Sequence, residues 1–93
     1  SANNWMKPGN LAIQIKSTAG NEGKIVMLIR YVGQIQYLGG IFRESWLVDY
    51  GKMVMNNSGR LVGPQYPVAT NALKPLPPAE VEQIQGKELC SRQ

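Results

Sequence analysis

Apolar and polar residues alternate with period two in Leu11-Ala12-Ile13-Gln14-Ile15-Lys16, which predicts a half-buried strand with Leu11, Ile13 and Ile15 inward. Ser45-Trp46-Leu47-Val48-Asp49-Tyr50 alternates too, placing Trp46, Val48 and Tyr50 on one face, and Gly51 ends it. The strongest strand signal is 24–32, rich in β-branched and aromatic residues and flanked by Gly23 and Gly33. Ile25 to Ile29 is apolar at every position, as expected of a central strand with core on one side and a further cover on the other. The expected core is Leu11, Ile13, Ile15, Ile25, Met27, Ile29, Trp46, Val48 and Leu73.

Turn residues punctuate these strands. Pro8-Gly9-Asn10 is a turn, and 17–23, with two glycines and an asparagine, is a loop. Residues 33–44 are the least regular stretch, broken by Gly39-Gly40, and read as a long loop or a pair of short edge strands. Asn56-Asn57-Ser58-Gly59 is a four-residue hairpin loop between 52–55 and 60–62. Pro64 and Pro67 exclude a central strand at 63–67. One turn of 3₁₀ helix fits 68–72, and 72–76 fits a last short strand held to an edge by its prolines. Pro78 suits the first position of a short helix over 79–87, with Val81 and Ile84 on one face. The chain therefore divides into an N-terminal arm (1–7), a folded body (8–76) and a tail (77–93). The tail is expected to cover the second apolar face of 25–29, with self-association as the alternative. A start at Ser1-Ala2-Asn3 rather than Met fits a cleavage scar.

Composition narrows the function classes. Hydrophobic residues make up 43% and charged residues 17% of the 93, a globular balance with room for one small core. The net charge of +4 is uneven: up to Lys74 eight basic residues face three acids, and from 75 onward two face three. A body of +5 suits a polyanion partner or an ordinary basic domain, and no three basic residues adjoin to make a basic arm. The longest apolar run, Ile25 to Ile29, is far short of the roughly 18 residues that cross a membrane. The lone cysteine, Cys90, allows no intrachain disulfide, and no signal-peptide pattern opens the chain, so a cytoplasmic protein is expected.

Catalytic chemistry finds little support. There is no histidine for a nucleophile–base pair, Glu44 and Asp49 lack the spacing of an acid–base pair, and Cys90 alone makes no metal site. Gly20-Asn21-Glu22-Gly23-Lys24 lacks the phosphate-loop spacing and its Ser/Thr. No cofactor or metal is expected. Pro75-Leu76-Pro77-Pro78 has the spacing of a proline-rich ligand without the flanking base, and serves equally as an exit from the body.

Five short strands with a 3₁₀ turn before the last point to a small SH3-like barrel. Pro8-Gly9-Asn10 leading into Leu11–Ile15, then Gly23-Lys24-Ile25-Val26, resembles the opening of KOW-type SH3-like barrels. That resemblance covers 8–76 and implies an all-β, five-stranded barrel that binds RNA or DNA. Tyr66-Pro67-Val68-Ala69 also resembles the pore strand of type II dihydrofolate reductases, carrying over only Gln65 and Tyr66, since Pro64 stands where that family has a strand residue.

The expected function is a non-catalytic binding module, for protein–protein contact or assembly, with nucleic acid binding as the alternative and the reductase as a remote one. Small basic barrels of this kind are frequent in phages and mobile elements, which makes an accessory protein a natural setting. The expected contact residues are Tyr37, Phe42 and Arg43, with Arg30 and Lys52 nearby: aromatic and basic groups that serve a protein interface or a nucleic acid.

Overall fold

The computed structural model describes residues 6–77. Along them lie β1 (Leu11–Gln14), β2 (Ile25–Gln36), β3 (Phe42–Asp49), β4 (Val54–Met55), β5 (Leu61–Val62), β6 (Gln65–Ala69) and β7 (Leu73–Pro75). Short 3₁₀ turns occupy Leu38–Gly40 and Thr70–Ala72. Five strands make one antiparallel sheet in the order β6-β3-β2-β1-β7, and β4 pairs with β5 as a separate hairpin. The Thr70–Ala72 turn carries the chain from one edge strand to the other, so that β7 pairs with β1. The described residues are mostly β. The hairpin loop at 56–59, the 3₁₀ turn and the last edge strand fall where the turn residues place them.

Prolines mark both edges. Pro67 lies in β6 and Pro75 in β7, the positions a sheet tolerates because an edge strand leaves half its donors unpaired.

The stretch 33–44 is mostly strand, so of its two expected forms the strand pair applies. β2 pairs with β3 from Met27 to Gln36, whereas β1 flanks β2 only over Ile25–Met27 and β6 flanks β3 only over Ser45–Asp49. The far ends of β2 and β3 therefore extend as a two-stranded arm, closed by Gly39 and Gly40 at φ 85° and 79°. The register shifts between Tyr31 and Gly33, where Gly33 at φ 76° forms an irregularity that a side chain would strain. The described chain measures 46 × 31 × 17 Å along its principal axes, elongated as a projecting arm requires.

The core comprises Ala12, Val26, Leu28, Trp46, Val48, Val68, Ala72 and Leu73, with Met6, Tyr50 and Ala69 packed against it. Complete burial of Leu28 or Val48 contributes about 1.5–3 kcal/mol each. Trp46, Val48 and Leu73 are buried as expected, but the phase of β1 and β2 is the reverse of that expected. Ala12, Gln14, Val26 and Leu28 point inward; Leu11, Ile13 and Ile29 are half-buried, and Ile15, Ile25 and Met27 are exposed. The reason in β2 is its uniform apolarity, which leaves either face able to pack. In β1 a polar side chain is accommodated inside: the Tyr50 hydroxyl donates to Gln14 Oε1 at 2.5 Å and Gln14 Nε2 donates to the Lys16 carbonyl at 3.0 Å.

On the outer face Leu11 stands opposite Met27 and Ile13 opposite Ile25, with Ile25 37% and Met27 40% exposed. The tail expected to cover this face, its helix over 79–87 and Cys90 lie outside the described residues. Among the described residues no helix is long and apolar enough to cross a membrane.

Candidate binding trough beneath the arm

One face of the arm, the 15–22 loop, the β4–β5 hairpin and β6 enclose an open trough of about 1220 Å³. Alternation along the arm decides which side chains enter it. Ile35 and Arg43 are cross-strand partners and both line the trough, joined by Tyr37. Their neighbours Gln34, Phe42 and Glu44 stay out of the lining, as the two-residue repeat requires, whereas Gln36, next to the closing turn, also reaches it.

The β4–β5 wall owes its shape to Asn56. Its Oδ1 accepts from the backbone N–H groups of Ser58 at 3.0 Å and Arg60 at 2.9 Å, closing the turn, and Gly59 at φ 75° completes it. Side-chain hydrogen bonds hold this wall in place. Thr18 Oγ1 donates to Asn57 Oδ1 at 2.6 Å, Asn21 Nδ2 to the Met55 carbonyl at 2.8 Å, and Asn56 Nδ2 to the Tyr66 hydroxyl at 3.3 Å.

Three tyrosines, Tyr37, Tyr50 and Tyr66, share the trough. The Tyr37 and Ser45 hydroxyls hydrogen-bond at 2.6 Å, and Ser45 Oγ also donates to the Arg43 carbonyl at 3.0 Å, which satisfies the fully buried serine. Burial pushes the Tyr50 hydroxyl up to about 12; its bond to Gln14 opposes the rise, and neighbouring Tyr37 and Tyr66 add to it. Burial also raises Tyr37, against the Ser45 bond, with Tyr66 adding and the Arg43 charge opposing. All three rings are half-buried, and Ser45, Gln14 and Asn56 engage their hydroxyls.

The charged lining is Lys16, Arg43 and Arg60 against the single carboxylate of Glu22. No ion pair with a described residue engages any of the three cations. The rest of the lining mixes aliphatic side chains, among them Ile15, Leu38, Ile41 and Val62, with polar ones such as Thr18, Gln36, Asn57 and Ser58. Among the described residues no group of three or more His, Cys, Asp or Glu side chains is placed to hold a metal ion.

Of the five residues singled out in the sequence, Tyr37 and Arg43 come together in the trough. Phe42 is 63% exposed on the other face of the arm. Arg30 stands opposite Leu47 near the base of the arm, and Lys52 follows β3; both are exposed and outside the trough lining. At the arm's tip Leu38 is 70% exposed and Ile41 is also exposed. Sequence reasoning did not bring Lys16, Tyr50, Arg60 or Tyr66 to the site. Tyr50 carried only the signal of a core position, and Tyr66 entered only through the reductase resemblance, whose other residue, Gln65, is exposed.

No family model matches the chain, and neither a curated protein nor a solved structure matches it.

Proposed function

We propose that the protein is a non-catalytic binding module of SH3-like design, working through protein–protein contact or assembly. The observation that carries this is the apolar end of the arm: Leu38 and Ile41 are large, exposed and line a ready-made concavity, and Phe42 is exposed on the arm's other face. Exposed apolar groups concentrated beside a groove are characteristic of interaction sites, whereas scattered ones are ordinary. The SH3-like design is supported by the strand order, in which four strands succeed one another across the sheet and a 3₁₀ turn returns the fifth to the first. Self-association through the arm belongs to the same reading.

A second reading, a KOW-like nucleic acid binder, is favoured by one observation: the +5 charge of the residues up to Lys74. A salt series with mixed single- and double-stranded nucleic acid separates the two. Protein contact predicts no detectable binding even at low salt. Binding that falls steeply as salt rises would transfer the function to nucleic acid.

A further inference from the structure

We infer that the trough receives an extended acidic peptide segment, its carboxylates on Arg43, Arg60 and Lys16 and its apolar side chains on the aliphatic floor. This rests on the protein-binding reading above and names the chemistry of the partner.

Charge comes first. Three cations and one carboxylate line the same concavity, and no described acid neutralises the cations. An arginine fork binds a carboxylate through two parallel hydrogen bonds, which gives direction as well as attraction. In a partly enclosed trough such bonds are less screened than on an open surface.

The floor decides between a peptide and a nucleic acid strand. Bases need open ring faces to stack on. Here the three trough rings are half-buried, and each hydroxyl already has a partner in Gln14, Ser45 or Asn56. The more exposed rings, Tyr31 and Phe42, do not line the trough. Aliphatic lining residues that keep accessible surface, Ile15, Leu38, Ile41 and Val62, match apolar side chains instead.

The edge strand determines how a peptide is read. β6 borders the trough, but Pro67 at its centre has no N–H to donate. Adding a strand to that edge would leave a break in the ladder. Recognition therefore falls to side chains, and sequence selectivity follows from the spacing of the cations.

The test is selection from a random displayed-peptide library on the intact protein, with the Arg43→Glu/Arg60→Glu double variant for comparison. Both arginines are exposed and neither packs in the core, so the variant keeps the native thermal midpoint; if it does not fold, Arg43→Gln/Arg60→Gln replaces it. The expected result is enrichment of peptides that combine Asp or Glu with Leu, Ile or Val. A synthesised winner binds the double variant at least tenfold more weakly, loses affinity with salt, and binds Arg30→Glu as it binds the parent. Winners without an acidic excess, or winners that bind the double variant equally well, overturn the inference and leave the protein-binding reading standing. Absence of any winner, with or without tight salt-sensitive binding of oligo(dT), overturns both.

Discussion

In the first half of β2, Val26 and Leu28 are buried beneath flanking strands; from Ile29 to Gln36 the same strand buries no residue. Both halves pair with β3, from Met27 to Gln36, with register shifts between Leu28 and Arg30 and between Tyr31 and Gly33. What differs is the second neighbour: β1 and the Gly9-Asn10 turn lie beside Ile25–Leu28, and no described strand pairs with that edge from Ile29 onward. Backbone pairing alone therefore makes a strand without making a core. Burial requires covering structure packed on the strand, and an isolated two-stranded ribbon is marginal in water. The far half, two-stranded at Gln34–Gln36, is left to present side chains rather than to store stability, which is the division of labour a binding arm needs.

The largest expected effect lies at the wide end. Leu28→Ala removes a fully buried side chain from the core and should cost about 2–4 kcal/mol, read as a lowered urea midpoint. Ile35→Ala, in the same strand but half-buried in the arm, should cost clearly less; equal losses would erase the distinction between the halves.

Gly33→Ala tests the junction. Nothing lies within 4 Å of a Cβ added there, so the cost is conformational, about 1–2 kcal/mol for a left-handed backbone position. No loss at all would mean that the irregularity between Tyr31 and Gly33 can relax.

Tyr50→Phe deletes the hydroxyl that satisfies Gln14 and should cost about 1 kcal/mol at neutral pH. It also carries a signature in alkali. The folded hydroxyl titrates near 12 against 10.0 for an ordinary tyrosine, so the folded state keeps its proton where the unfolded state has lost it. Tyr50 thus contributes stability fully below pH 10 and loses it as pH rises toward 12. Phenolate absorbance should show a late-titrating tyrosine that disappears in the variant; an unchanged titration would place Tyr50 in water.

The smallest effect is expected at the tip. Leu38→Ser with Phe42→Ser removes exposed side chains and should move stability by no more than about 0.5 kcal/mol, while weakening partner binding. A large stability loss would make the tip a structural plug instead of a contact surface.

The legibility of these features in the sequence followed their locality. The turn at Asn56–Gly59, the 3₁₀ turn before β7, and the inward Trp46 and Val48 each depend on neighbours a few positions away, and residue type alone places them. The phase of β2 was illegible because Ile25-Val26-Met27-Leu28-Ile29 offers two equivalent faces. β1 misled more actively: its small and polar positions, Ala12 and Gln14, are the buried ones, and Gln14 is made tolerable by a hydroxyl 36 positions away. The trough draws residues from Gln14 to Ala72 with no shared motif, so only Tyr37 and Arg43, which sit close together in one aromatic and basic stretch, could be singled out.

The prolines of β6 and β7 give the sheet a property of a different kind. Regarded as a linear polymer whose monomers are strands, the five-stranded sheet is terminated at both ends by units that cannot propagate it: Pro67 at one, Pro75 at the other. Growth by addition of a further strand, the elementary step of fibril formation, meets a missing donor at either terminus. What the prolines leave open to a further strand is the arm, whose unflanked edges at Ile29–Gln36 and Phe42–Glu44 carry no proline.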